Sequence, residues 1–134
     1  MTLPDALHTA VDPLRPAHQR KTRGELEAAI ANAAARFHLQ LHGRGPSTIQ
    51  VRWDRNHICI RSRGIFTCLE SRLLTTREGC RIVELMRQEM HRISGPEVEA
   101  AIAAIAELEV IGSTMEVDIT KAELVEDYEL LSQT

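Results

Sequence analysis

LHGRGPSTIQVRWDRNHICIRSRG, Leu41 to Gly64, is the stretch in which a helical pattern stops and a strand, a tight turn and a second strand follow. Gly43 and Gly45 permit positive φ, and Pro46 lacks an N–H and pushes its predecessor out of the helical region, so a preceding helix must end here. From Thr48 to Trp53 the residues alternate, with Ile49, Val51 and Trp53 on one side and Thr48, Gln50 and Arg52 on the other. Asp54-Arg55-Asn56 is a polar tip, after which Ile58 and Ile60 resume the apolar face while His57, Cys59 and Arg61 take the opposite one. Period-two alternation on both sides of a polar turn predicts a β-hairpin with one buried face.

Working outward, Leu26, Ile30, Ala33, Ala34, Phe37 and Leu41 recur at steps of three and four, which predicts a helix over about 22–42. Thr22 and Glu25 have the spacing of a capping box at its start, and Gly43 closes its end. Residues 64–74 read as a connection that crosses the core. A second helix starts at Thr75 or Thr76 and carries Ile82, Val83, Met86, Met90 and Ile93 inward, with Arg87 and His91 on the wet face. Ser94-Gly95-Pro96 is expected to break it and start a third helix bearing Val98, Ala101, Ile102, Ile105 and Leu108. Met115, Val117 and Ile119 alternate as a third strand; Ala122 to Leu131 fits a short helix or an edge strand, with the strand preferred. The expected architecture is α+β: a helix, a β-hairpin, a kinked helix pair and one or two further strands in a single two-layer domain.

Composition bounds the rest. A chain of 134 residues with 43% hydrophobic content builds one domain with a core, and 3% aromatic content makes that core aliphatic. The expected core is Leu26, Ile30, Phe37, Ile49, Val51, Ile58, Ile60, Val83, Met86, Ile102 and Ile105. Residues 1–20 hold three of the five prolines and no sustained period, so they read as a flexible N-terminal arm, with the domain in 21–134. No apolar run reaches the roughly 20 residues of a membrane span and no signal-peptide pattern opens the chain, which gives a cytoplasmic expectation. Cys59, Cys68 and Cys80 are odd in number and lack C-x-x-C spacing, arguing against a disulfide framework and a structural zinc site.

Several features together resemble the MpsC family: the order of elements, GRGP after the first helix, the apolar hairpin, T-x-E-G at Thr76 to Gly79 and the D-I pair at Asp118-Ile119. The likeness covers about residues 22–131. The resemblance implies a small bacterial domain associated with a Na⁺-translocating, membrane-potential-generating system whose other components resemble inorganic-carbon transport proteins. It therefore implies an accessory or regulatory protein that self-associates and has a protein partner at the membrane. The same element order also looks like the type II KH arrangement of ribosome-assembly factors, which makes nucleic-acid binding the alternative, although the sequence has neither a G-x-x-G loop nor a stacking pair of aromatics.

No G-x-S-x-G, P-loop, dinucleotide fingerprint or H-E-x-x-H is present, so the expectation is a non-enzyme with no catalytic residue, no metal and no cofactor. His38 and His42 stand one helical turn apart but lack a third ligand. Charge is the stronger signal. Residues 1–92 carry a net +6 and residues 93–134 a net −9, and arginines outnumber lysines fourteen to two. Arg44, Arg52, Arg61 and Arg63 are the candidate binding residues, since a guanidinium fork suits a small anion or an acidic surface. Alternatively they pair with the acid-rich end of the same chain or of a second copy, within a homodimer or higher oligomer.

Overall fold

The structure is a computed structural model that describes residues 21–132; the N-terminal arm expected over 1–20 lies outside them. The elements are α1 (Arg23–His42), β1 (Thr48–Asp54), β2 (His57–Arg63), α2 (Cys68–Leu73), α3 (Arg77–Ala106), β3 (Val110–Asp118) and β4 (Glu123–Leu130). The strands form one antiparallel sheet in the order β1-β2-β4-β3. Among the described residues no helix is long and apolar enough to cross a membrane.

The sequence signals act locally as expected. Thr22 Oγ1 accepts from the Glu25 amide at 3.1 Å and Glu25 returns a carboxylate to the Thr22 amide at 2.7 Å, so two of the amides left free at a helix start are satisfied. Gly43 ends α1 at φ 77°, and its N–H reaches the Leu39 carbonyl. The hairpin pairs Val51 with Ile60 and Trp53 with Ile58, and β4 continues the row with Tyr128 opposite Ile58. One side of the sheet therefore packs under the helices while the other meets solvent, as an antiparallel sheet allows. The larger core cluster joins Leu26, Ile30, Ile58, Ile60, Ile102, Tyr128 and Leu130; the smaller joins Ile65, Phe66, Val83 and Leu124. Residues 123–130 are a strand, as preferred, and β3 begins at Val110, five residues before the expected alternation.

Three expectations need correction. The connection over 64–74 contains α2, capped by a second box in which Thr67 Oγ1 accepts from the Glu70 amide at 3.1 Å and Glu70 from the Thr67 amide at 2.9 Å. The kinked helix pair is a single 30-residue helix that runs through Pro96. A proline there removes one bond to the carbonyl four residues back, but Ser94 and Gly95 are buried against the domain, and packing holds the helix together across the gap. Third, α3 is rotated from the expected face. Met86 is 38% exposed, and Ile82, Leu85 and Ile93 are about half exposed; Val83 points inward as expected, and Arg87, expected on the wet face, points inward beside it. Phe37 is half-buried rather than central, and Ile49, Val51 and Ile105 flank the core at partial exposure.

Candidate functional site

Arg87, assigned to the wet face by periodicity, is 2% exposed and organises a polar cluster beneath α1 and α3. Its Nε donates to Glu70 Oε2 at 2.8 Å, and Nη2 donates to Glu70 Oε1 at 2.7 Å and to the Ile65 carbonyl at 2.9 Å. The capping box that starts α2 thus also delivers a carboxylate to α3. Nη1 has no hydrogen-bond partner among the described residues. The guanidinium carbon sits 5.8 Å from the Phe66 ring centroid, a cation–π distance.

A second chain of polar contacts runs along the core side of β3 and β4. Ser113 Oγ donates to Glu99 at 3.1 Å and meets His91 Nε2 at 3.2 Å; the other ring nitrogen of His91 lies 3.4 Å from Glu126, which accepts from Tyr128 OH at 3.0 Å. Burial first, then the charge of Glu126 and this hydrogen bond, push the Tyr128 phenol well above its ordinary range, so it remains a donor. The two groups of contacts meet at a cavity of about 60 Å³. Its polar wall is His38, His42, Arg87, His91, Ser94 and Glu126, and Phe37, Met90, Val98 and Met115 supply apolar wall. The rings of His38 and His42 are 6.0 Å apart. Burial, helped by the nearby Arg87 charge, lowers the His42 pKa from 6.5 to about 4. Burial also lowers His38, with Glu126 opposing. Both are neutral imidazoles near pH 7. Among the described residues no three His, Cys, Asp or Glu side chains converge as metal ligands.

The four arginines singled out in the sequence do not share one site. Arg61 and Arg63 both reach Glu123, at 3.2 and 2.8 Å, and the Glu123 side chain is only 3% exposed beneath them. Hydrogen bonding from Arg63, reinforced by the charge of both arginines, holds the Glu123 carboxyl below the usual carboxylate range. Arg44 donates to the Phe66 carbonyl at 3.0 Å, and Arg52 is exposed with no ion pair among the described residues. His57 meets Asp127 at 2.9 Å on the same outer face. The basic hairpin and the acidic last strand therefore meet within one chain, cross-strand, which accounts for much of the charge asymmetry. His57, Cys59 and Asp127 share this open face, but Cys59 Sγ makes no hydrogen bond among the described residues.

The cluster escaped the periodicity argument because Arg87 was sorted by its polarity. One signal was available: Thr67-Cys68-Leu69-Glu70 has capping-box spacing and marks a helix start inside the supposed connection. No curated protein and no solved structure matches the chain. Residues 22–128 match the family model described as Na⁺-translocating membrane potential-generating system (MpsC), and on that span, which is most of its length, the chain belongs to the MpsC family.

Proposed function

We propose that the protein is a non-enzymatic accessory or regulatory component that self-associates and acts at the cytoplasmic side of a membrane ion- or inorganic-carbon-translocating system. Family membership supports the association with translocation. The observation that carries self-association is the outward stripe of α3: Ile82, Leu85, Met86 and Ile93 lie within one 100° sector of the helix and are all exposed. Covering four half-exposed side chains on each of two copies is worth roughly 8 kcal/mol at about 1 kcal/mol apiece, on the scale of the association cost of about 4–15 kcal/mol, so the stripe offsets much of that cost and the contacts around it supply the rest of the affinity. The Glu89–Arg92 pair sits in the stripe and gives it a polar mark that can fix register. Self-association does not draw on Arg61 and Arg63, which are held by Glu123; Arg52 remains the hairpin cation that can meet an acidic partner surface. The KH-like alternative has less to stand on, since Ser94 and Gly95 are buried inside α3 instead of forming an exposed phosphate-clamping loop.

Light scattering on the full chain tests this directly. A particle of twice the 15.0 kDa subunit mass is expected at tens of micromolar protein, with I82S/L85S running as a folded monomer. A wild-type monomer at 100 μM, or a double variant with unchanged mass, refutes the docking face.

A further inference from the structure

The cavity between α1 and α3 gathers imidazoles and thioethers. Of the four histidines among the described residues, His38, His42 and His91 line it, and so do Met90 and Met115, two of the three described methionines. His91 is engaged at both ring nitrogens, by Ser113 and by Glu126. His38 and His42 are free: neither ring makes a hydrogen bond or an ion pair among the described residues, although His38 is only 8% exposed. The His38 nitrogens are not sealed from water as Arg87 Nη1 is, so this buried ring keeps unpaired nitrogens that a small guest in the cavity can reach.

We propose that the cavity binds one soft monovalent metal ion, Cu(I), between the rings of His38 and His42, with the thioether of Met90 on the facing helix as the third ligand. The ring spacing fits an ion held in common. An ion bonded at about 2.0 Å to one nitrogen of a ring sits about 3 Å from that ring's centroid, so two rings sharing it stand about 6 Å apart. The His38 and His42 centroids are 6.0 Å apart. Met90 is unbranched, and its three rotatable bonds let the sulfur follow the ion. Imidazole with thioether selects Cu(I), whereas a harder divalent ion needs the carboxylate or thiolate ligands that, among the described residues, do not converge in threes with histidine. Charge points the same way. Arg87 is matched by Glu70, which leaves Glu126 as the wall carboxylate with no Lys or Arg partner among the described residues, and one monovalent cation balances it. His42 is the last residue of α1, where the negative end of the helix dipole favours a cation. Burial keeps both imidazoles neutral near pH 7, so a lone pair on each is available to the ion.

NMR of the full-length chain, with histidine rings ¹⁵N-labelled and methionine methyls ¹³C-labelled, tests this under anaerobic titration with Cu(I) buffered by bicinchoninate. The His38 and His42 ring nitrogens and the Met90 methyl are expected to shift together and saturate at one ion per chain, while the methyl of Met86, on the exposed stripe, stays in place. H42Q and M90L, the latter conserving volume, are each expected to weaken binding by roughly tenfold or more, since even an indirect partner of a metal is worth about that much. I82S/L85S is expected to bind as the wild type does, which separates this site from the docking stripe, and Zn(II) at the same concentration is expected to leave the Met90 methyl unmoved. C59S/C68S/C80S, which removes every thiol, is expected to keep the response. Ring signals that stay in place at saturating Cu(I), or that move only while the thiols are present, overturn the proposal. Binding that H42Q or M90L leaves unchanged overturns the assigned ligands.

Discussion

Replacing Glu70 alone and together with Arg87 distinguishes an ion pair that stabilises the fold from one that merely must not be broken. Glu70 is 1% exposed, accepts two hydrogen bonds from Arg87 and one from the Thr67 amide, and has no other ion-pair partner among the described residues. In E70L the guanidinium stays buried with only the Ile65 carbonyl as partner, and removing one member of a buried pair costs about 3–5 kcal/mol. For a domain of this size that lowers the melting temperature by roughly 10–20 °C. In E70L/R87M no charge is left behind and two apolar side chains of similar volume fill the space, so most of the loss is recovered. Urea unfolding at pH 7, followed by circular dichroism, measures both. A loss below about 1 kcal/mol in E70L, or a double variant as unstable as the single one, refutes the geometry on which the cluster is built.

The pH limb has a definite sign. Burial alone raises the Glu70 carboxyl, but the Arg87 hydrogen bonds and the Thr67 amide outweigh it and the net shift is downward. A carboxylate with a depressed folded value contributes stability that is fully present above its unfolded value of about 4.3 and disappears as pH falls through the lower folded value. E70L/R87M lacks that contribution, so its acid unfolding below pH 4 is expected to be shallower than that of the wild type.

Two further outcomes follow from the core and from His42. I60A and I102A each remove a side chain no more than 2% exposed in the larger cluster and are expected to cost about 2–5 kcal/mol in denaturant unfolding; normal stability of both would show that the cluster is misassigned. His42 titrates at about 4 when folded and near 6.5 when unfolded, so the unfolded chain binds more protons between these values and stability falls as pH drops from 6.5 towards 4. H42Q is expected to flatten stability over that window, and equal slopes for variant and wild type would contradict the burial of the ring.

Much of the chain was legible where local chemistry decides the outcome. Thr22 and Glu25 cap α1 as their spacing requires, Gly43 ends it at positive φ, and the alternation of Ile49, Val51, Trp53, Ile58 and Ile60 sets both the pairing and the buried face of the hairpin. Ala122 to Leu131 was ambiguous because its apolar residues fit a short helix as well as an edge strand, yet Leu124, Tyr128 and Leu130 all reach the core side while Glu123 and Asp127 meet basic partners on the outer one. Pro96 misled because a proline removes a hydrogen bond but does not by itself remove the packing on either side of it. Arg44, Arg52, Arg61 and Arg63 looked alike in sequence; Arg44 meets the Phe66 carbonyl, Arg52 stays exposed, and Arg61 and Arg63 share a carboxylate supplied by β4, some sixty residues downstream.

The rotation of α3 is the deeper failure of periodicity, and it explains the apolar stripe on which self-association rests. The helix carries two candidate inward rows. Ile82, Met86 and Ile93 form the more apolar one, and Val83, Arg87, Met90 and Ser94 the less apolar one; sorting by hydrophobicity alone takes Ile82, Val83, Met86, Met90 and Ile93 from the two and leaves Arg87 outside. The fold turns the second inward, where Arg87 meets Glu70, seventeen residues earlier, as a buried partner. Taking that pair out of water has a desolvation cost of several kcal/mol per ion, which the mutual attraction and hydrogen bonds roughly offset, so stability gives no reason to prefer it over leucine and methionine. What accompanies the pair is a guanidinium locked by its Nε and Nη2 edge, and an apolar row turned out to the surface. Both features come from the same rotation, so E70L/R87M, which keeps two apolar side chains in the same place, should retain its fold and its mass in light scattering, and a folded but monomeric double variant would show that the outward row is set by the ion pair.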